Sequence, residues 1–118
     1  MFCRSDLVLM EIQIIKKKIQ MLIKKDPYYA KCSLNKTFWN DLIEIYNDLR
    51  VDGWISDNAV KSKSIAAALF YVRCLRNKID LTQRDIAEIA CINENTLREV
   101  SKKMPGYVLR FSKASDFL

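Results

Sequence analysis

Residues 82–103 read TQRDIAEIACINENTLREVSKK and decide the fold. Thr82, with Asp85 three positions later, is typical of a capping box that begins a helix. The apolar periodicity predicts one helix over 82–90 and a second over 94–103, joined by a three-residue break. Two short helices so closely joined predict a helix-turn-helix, in which the second helix can enter the major groove of DNA.

The second of these helices is predicted to have an inner and an outer side. Leu97 and Val100 fall on the side that holds it against the domain, and the small Ala87 lets the two helices approach each other. The outer side carries polar and charged residues, which in a recognition helix contact DNA. The residues predicted to contact DNA are Asn95, Thr96, Arg98, Lys102 and Lys103 from this helix and Lys63 from an earlier one.

Three of these residues are expected to have different tasks. Arg98 is the predicted base reader, because its planar fork can bond guanine O6 and N7 together, or can clamp a phosphate. Asn95, one turn earlier, can address a base edge, and Lys102, one turn later, is better placed for a phosphate. The alternative is a plain helical hairpin whose charges are only solvated.

The turn between the two helices departs from the common pattern. Many such turns carry glycine where this chain has Cys91, and a positive φ there would strain a cysteine. Cys91 and Cys74 also occupy apolar positions of the helical pattern, which predicts that both behave as small hydrophobic residues. Ile92 is predicted to be buried between the two helices.

Three further helices are predicted earlier in the chain. Apolar residues recur at helical spacing over 6–25, 36–50 and 62–77. The helix over 62–77 is apolar on every side, so it should be surrounded by the others. Its alanine triplet, 66–68, should let neighbouring backbones come close.

Length and composition agree with one helical domain. The chain has 118 residues, of which half are hydrophobic and only two are glycine and two proline. The predicted fold is all-α, a single five-helix domain over 1–104 that ends in a helix-turn-helix at 82–104. A tail over 105–118 shows no clear period.

Charge is unevenly distributed along the chain. The net charge is +6, which fits a polyanionic partner. Counted residue by residue, 1–25 carry +4, 26–60 carry −3, 61–104 carry +4 and the tail carries +1. The lysines of the first helix are interpreted as a solvated face, with a phosphate-contacting strip as the alternative; they are Lys16, Lys17, Lys18, Lys24 and Lys25.

The composition disfavours several classes of protein. The sequence has no histidine and none of its four cysteines forms a CxxC pair, so no metal site is expected. It has no glycine-rich phosphate loop and its acidic residues are scattered, so no enzyme, cofactor site or small-molecule substrate is expected. The apolar run 7–15 is interrupted by Glu11 and Gln13. No membrane span or signal peptide is therefore expected, and the protein should be intracellular.

Three blocks of the sequence together resemble one known family. They are SKSIAAALFY at 62–71, LTQRDIAEIA at 81–90 and NENTLR at 93–98. In this order and spacing they are similar to the second cyclin-like repeat of transcription factor IIB and of its archaeal counterpart, transcription factor B. The resemblance covers about residues 28–104 and includes the first helix more loosely.

The resemblance implies a five-helix repeat with a buried third helix, whose helix-turn-helix contacts the promoter element just upstream of the TATA box. The contacts that it implies fall on Asn95 and Arg98, with Lys102 at a further basic position. Asn95 stands where that family usually has a small apolar residue, so the base preference is expected to differ. The implied partners are double-stranded promoter DNA, a TATA-binding protein and RNA polymerase.

The sequence has no zinc ribbon, no linker segment and no first repeat of that family's proteins. It is therefore interpreted as a stand-alone, single-repeat regulator of archaeal or archaeal-viral origin, with a domain cut from a longer protein as the alternative. The alternative function is that of a cyclin-like module that binds a general transcription factor or RNA polymerase through the acidic residues of 41–57 without reading DNA. DNA is favoured if Lys63, Arg98, Lys102 and the lysines of the first helix share one face, and protein if they scatter.

Overall fold

A computed structural model describes residues 3–58, 60–106 and 108, and over these residues the chain forms helices and no β-strand. The helices are α1 (Arg4–Lys25), α2 (Lys36–Val51), α3 (Trp54–Asp57), α4 (Ser62–Arg76), α5 (Gln83–Ala90) and α6 (Glu94–Lys103). The all-α prediction is therefore confirmed. The predicted tail lies outside the described residues, apart from positions 105, 106 and 108.

All five predicted helices are present, and their ends differ from the prediction by at most two residues. The additional helix is α3, a single turn that is too short to show an apolar period. It begins directly after Gly53, which has φ +86 and ends α2 in the left-handed conformation that glycine adopts without a steric penalty.

The central helix is α4, as its apolar pattern predicts. It contacts α1, α2, α5 and α6, and the alanines at 66–68 are fully buried. Short side chains let neighbouring helices approach closely, so this triplet sits where the packing is most crowded. The helix α1 lies along α4 and buries one apolar stripe, formed by Val8, Ile12, Ile15 and Ile19.

One buried charge in α4 holds α2 in place. The Arg73 side chain is only 2% exposed, and its guanidinium donates to Asp41 at 2.8 Å and to Asn77 at 3.1 Å. Burial lowers the pKa of Arg73, and the neighbouring Asp41 carboxylate acts against that change by stabilising the charged form. Asp41 therefore forms an ion pair with a buried side chain of the core. It also belongs to the acidic segment 41–57, which is the alternative protein-binding surface.

In the described part of the chain, no helix is long and apolar enough to cross a membrane. Among the same residues, no group of three or more cysteines and carboxylates is placed to hold a metal ion. All four cysteines lie in the described part and carry free thiols.

Candidate nucleic-acid interface

The two short helices at the end of the domain, α5 and α6, are joined by residues 91–93, and we refer to them together as the α5–α6 unit. The capping box predicted at its start is present. The Thr82 hydroxyl accepts from the Asp85 amide at 3.1 Å, and the Asp85 carboxylate accepts from the Thr82 amide at 3.0 Å. Two backbone donors at the start of α5 are therefore satisfied by side chains.

The same carboxylate also anchors the loop between α1 and α2. The Tyr28 hydroxyl donates to Asp85 at 2.7 Å. Partial burial raises the pKa of Asp85, but the hydrogen bonds from the Thr82 amide, Tyr28 and the Thr82 hydroxyl outweigh it and leave the pKa below its ordinary value. The ionised carboxylate is thus the form that the folded chain stabilises.

We expect Asp85→Asn to lower the stability of the fold by about 1–2 kcal/mol at neutral pH, because charged hydrogen bonds are replaced by weaker neutral ones. The folded pKa lies below the ordinary value of 3.8, so this contribution is present above that pH and is lost as the pH falls through the folded pKa. Urea unfolding between pH 7 and pH 2, followed by circular dichroism, measures the effect. A difference between wild type and variant that persists unchanged at the acid end would contradict it.

The turn of the α5–α6 unit has a positive φ at Cys91, the conformation that strains a residue other than glycine. Cys91 has φ 59 and ψ 45, in the left-handed region. Its amide donates to Glu88, and the Ile92 amide donates to Ala87 at 2.9 Å, which is the pattern of a Schellman motif. A cysteine therefore occupies a position that usually favours glycine.

Two predictions about this turn are wrong. Cys91 is exposed, whereas the apolar pattern predicted a small hydrophobic residue, and Ile92 is half-buried rather than buried. Both differences follow from the left-handed conformation of Cys91, which ends α5 and changes the direction of the chain. The helical periodicity of α5 therefore does not place the side chains of Cys91 and Ile92. The prediction for Cys74 is confirmed, since it is 1% exposed.

The helix α6 has the predicted inner and outer sides. Leu97 is fully buried and Val100 is 4% exposed, and the Asn93 side chain caps the helix by accepting from the Asn95 amide at 2.7 Å. Thr96 is half-buried at one border of the outer side. The exposed residues of α6 are Asn95, Arg98, Glu99, Lys102 and Lys103.

A short chain of hydrogen bonds fixes Arg98. Its guanidinium donates to the Asn95 side chain at 2.9 Å and lies 3.5 Å from the amide oxygen of Gln83 and 3.6 Å from Glu94. Gln83 in turn donates to the Tyr71 hydroxyl at 2.9 Å, which connects the network to α4. Sequence reasoning missed Gln83, because in the sequence it is only a polar residue in the first turn of a helix.

Lysines from two other helices lie at the turn. Lys61 and Lys63, at the start of α4, line a shallow cavity whose other walls include Asn93 and Thr96 at the start of α6. Lys18 of α1 reaches the same turn, with its ammonium nitrogen 3.2 Å from the Cys91 sulfur. We call Lys18, Lys61 and Lys63 the turn lysines.

The lysines of α1 are not all on this side of the domain. Lys16 lies over the ring of Trp39, 5.6 Å from its centroid. Lys24 lines a different cavity with Cys32 and Leu34. Lys18 contacts the turn of the α5–α6 unit, whereas Lys16 and Lys24 lie elsewhere. The shared face that was expected to favour DNA is therefore met only by part of the lysines of α1.

The outer side of α6 therefore lies between the turn lysines and the first turn of α5. On its Thr96 border are the turn lysines, and on its Arg98 border is the first turn of α5. By helical position, Asn95 and Lys102 lie between these borders. Lys63 and Thr96, which are both predicted to contact DNA, therefore line the same cavity. Lys61 lines it too, and Lys18 contacts the same turn.

An all-α domain with a buried central helix and two short terminal helices is compatible with a cyclin-like repeat. The family model described as Transcription factor TFIIB repeat matches residues 34–105. The chain belongs to this family, which consists of transcription-factor domains rather than enzymes. The match begins shortly before α2 and ends after α6, so α1 lies outside it. No curated protein and no solved structure gave a significant match to the chain.

Proposed function

We propose that the protein is a DNA-binding transcription factor whose α5–α6 unit is a helix-turn-helix. In this proposal α6 lies in the major groove, and its first turn is nearest the base edges. The observation that supports it most is the convergence of Lys18, Lys61 and Lys63 on the turn that precedes α6. Lysines that flank a recognition helix are placed to neutralise the phosphates on either side of the groove.

The polar and basic residues on the proposed interface have tasks that follow from their chemistry, whereas the acidic Glu99 is assigned none. Arg98 reads a guanine with its two-pronged fork, after exchanging Gln83 and Glu94 for the base, and Asn95 addresses the neighbouring base edge. Lys102 and Lys103 at the end of α6 contact phosphates. Thr96 and the turn lysines contact phosphates on the other side of the helix.

The proposal predicts that removing two turn lysines weakens binding to every DNA sequence alike. The Lys18→Ala/Lys63→Ala variant should lower the slope of log K against log salt by about two units, since each lost phosphate contact lowers it by about one. The matched control is Lys24→Ala/Lys36→Ala, which removes the same charge from exposed positions away from the turn. Fluorescence anisotropy with a duplex across a salt series measures both. Equal effects of the two variants would contradict the proposed surface.

We further propose that the chain acts as the second type of repeat at archaeal or archaeal-viral promoters. One short recognition helix offers few base contacts, so specific binding should need a second protein on the same DNA. The resemblance to transcription factor B favours a TATA-binding protein in that role. Adding a TATA-binding protein to the anisotropy assay should raise the preference for promoter over scrambled duplex. Tight, sequence-specific binding by this chain alone would contradict the proposal.

A further inference from the structure

The outer side of α1 carries a row of exposed apolar side chains. Leu7, Met10, Ile14 and Met21 are 41%, 46%, 54% and 55% exposed. They lie on the side of α1 away from the stripe that packs on α4, and the spacing of 7, 14 and 21 places three of them in one line. Single exposed apolar residues are common, but several in one row on one helix are typical of an interaction surface.

The charges of α1 are divided between its two halves. Residues 4–15 contain one arginine and two acidic residues, whereas residues 16–25 contain five lysines and no acidic residue. Two such helices side by side in the same direction would place their basic halves together, which is unfavourable. In opposite directions, each basic half faces an acidic half, and the helix dipoles are also opposed.

We propose that a second copy of this chain packs on the row, with α1 antiparallel to α1 and the two-fold axis at Ile14. A pairing centred there brings Leu7 opposite Met21 of the other copy and Ile14 opposite itself. It also brings Glu11 close to Lys18 of the other copy, twice per dimer, because both residues lie on the flank of the row that faces α5. The sequence of the row is thus complementary to itself when reversed, which is the requirement of an isologous interface.

The position of the row connects this interface to the rest of the domain. Ile14 lines a cavity between α1 and α5 together with Lys18, Ile89 and Cys91. Contact across α1 therefore continues to the edge of the α5–α6 unit. The proposal depends only on α1 and is tested without DNA, so it can fail while the proposed function holds.

A charge exchange tests the proposal in solution. Glu11→Lys and Lys18→Glu should each weaken self-association about tenfold or more, because each places like charges close to each other twice. An equimolar mixture of the two variants should restore dimers, because in the mixed dimer each lysine of the exchanged pairs lies close to a glutamate. Sedimentation velocity over a concentration series gives the association constants, and Lys36→Glu on α2 is the control for net charge. A wild type that remains monomeric at every concentration, or dimers indifferent to the exchange, would overturn the proposal.

Disulfide trapping tests the direction of the two helices. In a background in which the exposed Cys3 and Cys91 are replaced by serine, the Ile14→Cys variant should form a cross-linked dimer on mild oxidation. The Leu7→Cys variant should not cross-link, whereas Leu7→Cys/Met21→Cys should. Efficient cross-linking of the Leu7→Cys variant alone would show a parallel pair and overturn the antiparallel arrangement.

Discussion

Replacing Leu97 by alanine is expected to destabilise the protein by about 2–5 kcal/mol, the usual cost of emptying a fully buried leucine site. Leu97 is 0% exposed and lies in α6, which packs on the central helix α4. The cavity would loosen α6 from the domain, so DNA binding should fall together with stability. Urea unfolding followed by circular dichroism measures the loss.

The control for this substitution is Glu99→Ala, two residues later on the exposed side of the same helix. A surface change of this kind is expected to alter the free energy of unfolding by less than about 0.5 kcal/mol. Equal stabilities for the two variants would show that α6 is not held by its apolar side.

The second large effect separates base reading from phosphate binding. Arg98→Ala should cost about 1–3 kcal/mol of binding free energy and relax the preference at one base position, because it removes a bidentate base contact. Lys102→Ala should weaken binding to all sequences alike and lower the salt slope by about one unit. Titration of both variants against a preferred and a scrambled duplex across a salt series measures the difference.

Arg98 and Lys102 are four residues apart on the same helix, so unfolding of α6 as a whole would affect both variants alike. Circular dichroism of each variant checks that the helix content is unchanged. If neither substitution alters the affinity for DNA, the α5–α6 unit is structural, and the alternative of a protein-binding module becomes the better reading of the fold.

The parts of the fold that were predicted correctly depend on local patterns. Thr82 and Asp85 are three residues apart, and the inner side of α6 follows from the spacing of Leu97 and Val100. Hydrogen bonds and contacts at such short separations are made by one helix with itself. Their sequence pattern can therefore be recognised without knowledge of the tertiary structure.

The parts that were missed are contacts between distant segments. Lys18 and Cys91 are 73 residues apart in sequence, Tyr28 and Asp85 are 57 apart, and Arg73 and Asp41 are 32 apart. No local pattern selects Lys18 from the five lysines of α1, because the choice depends on which side of α1 faces α5. The residues of the candidate interface can therefore be identified only when the packing of α1 and α4 against the turn is known.

The outer row of α1 was overlooked for a different reason. Val8, Ile12, Ile15 and Ile19 already form the apolar stripe that an amphipathic helix requires, and these residues are buried. A second apolar row on the other side of the same helix becomes recognisable only when its exposure is known. Burial, which the sequence does not contain, distinguishes a core from a contact surface.

The central claim is that duplex DNA binds at the turn and outer side of α6. The direct measurement is a titration of the isotope-labelled protein with a short duplex at low salt, followed by NMR amide and lysine side-chain shifts. We expect the largest changes at 91–98, with further changes at Lys18, Lys61 and Lys63. Unchanged signals there, or changes confined to the acidic segment 41–57, would contradict it.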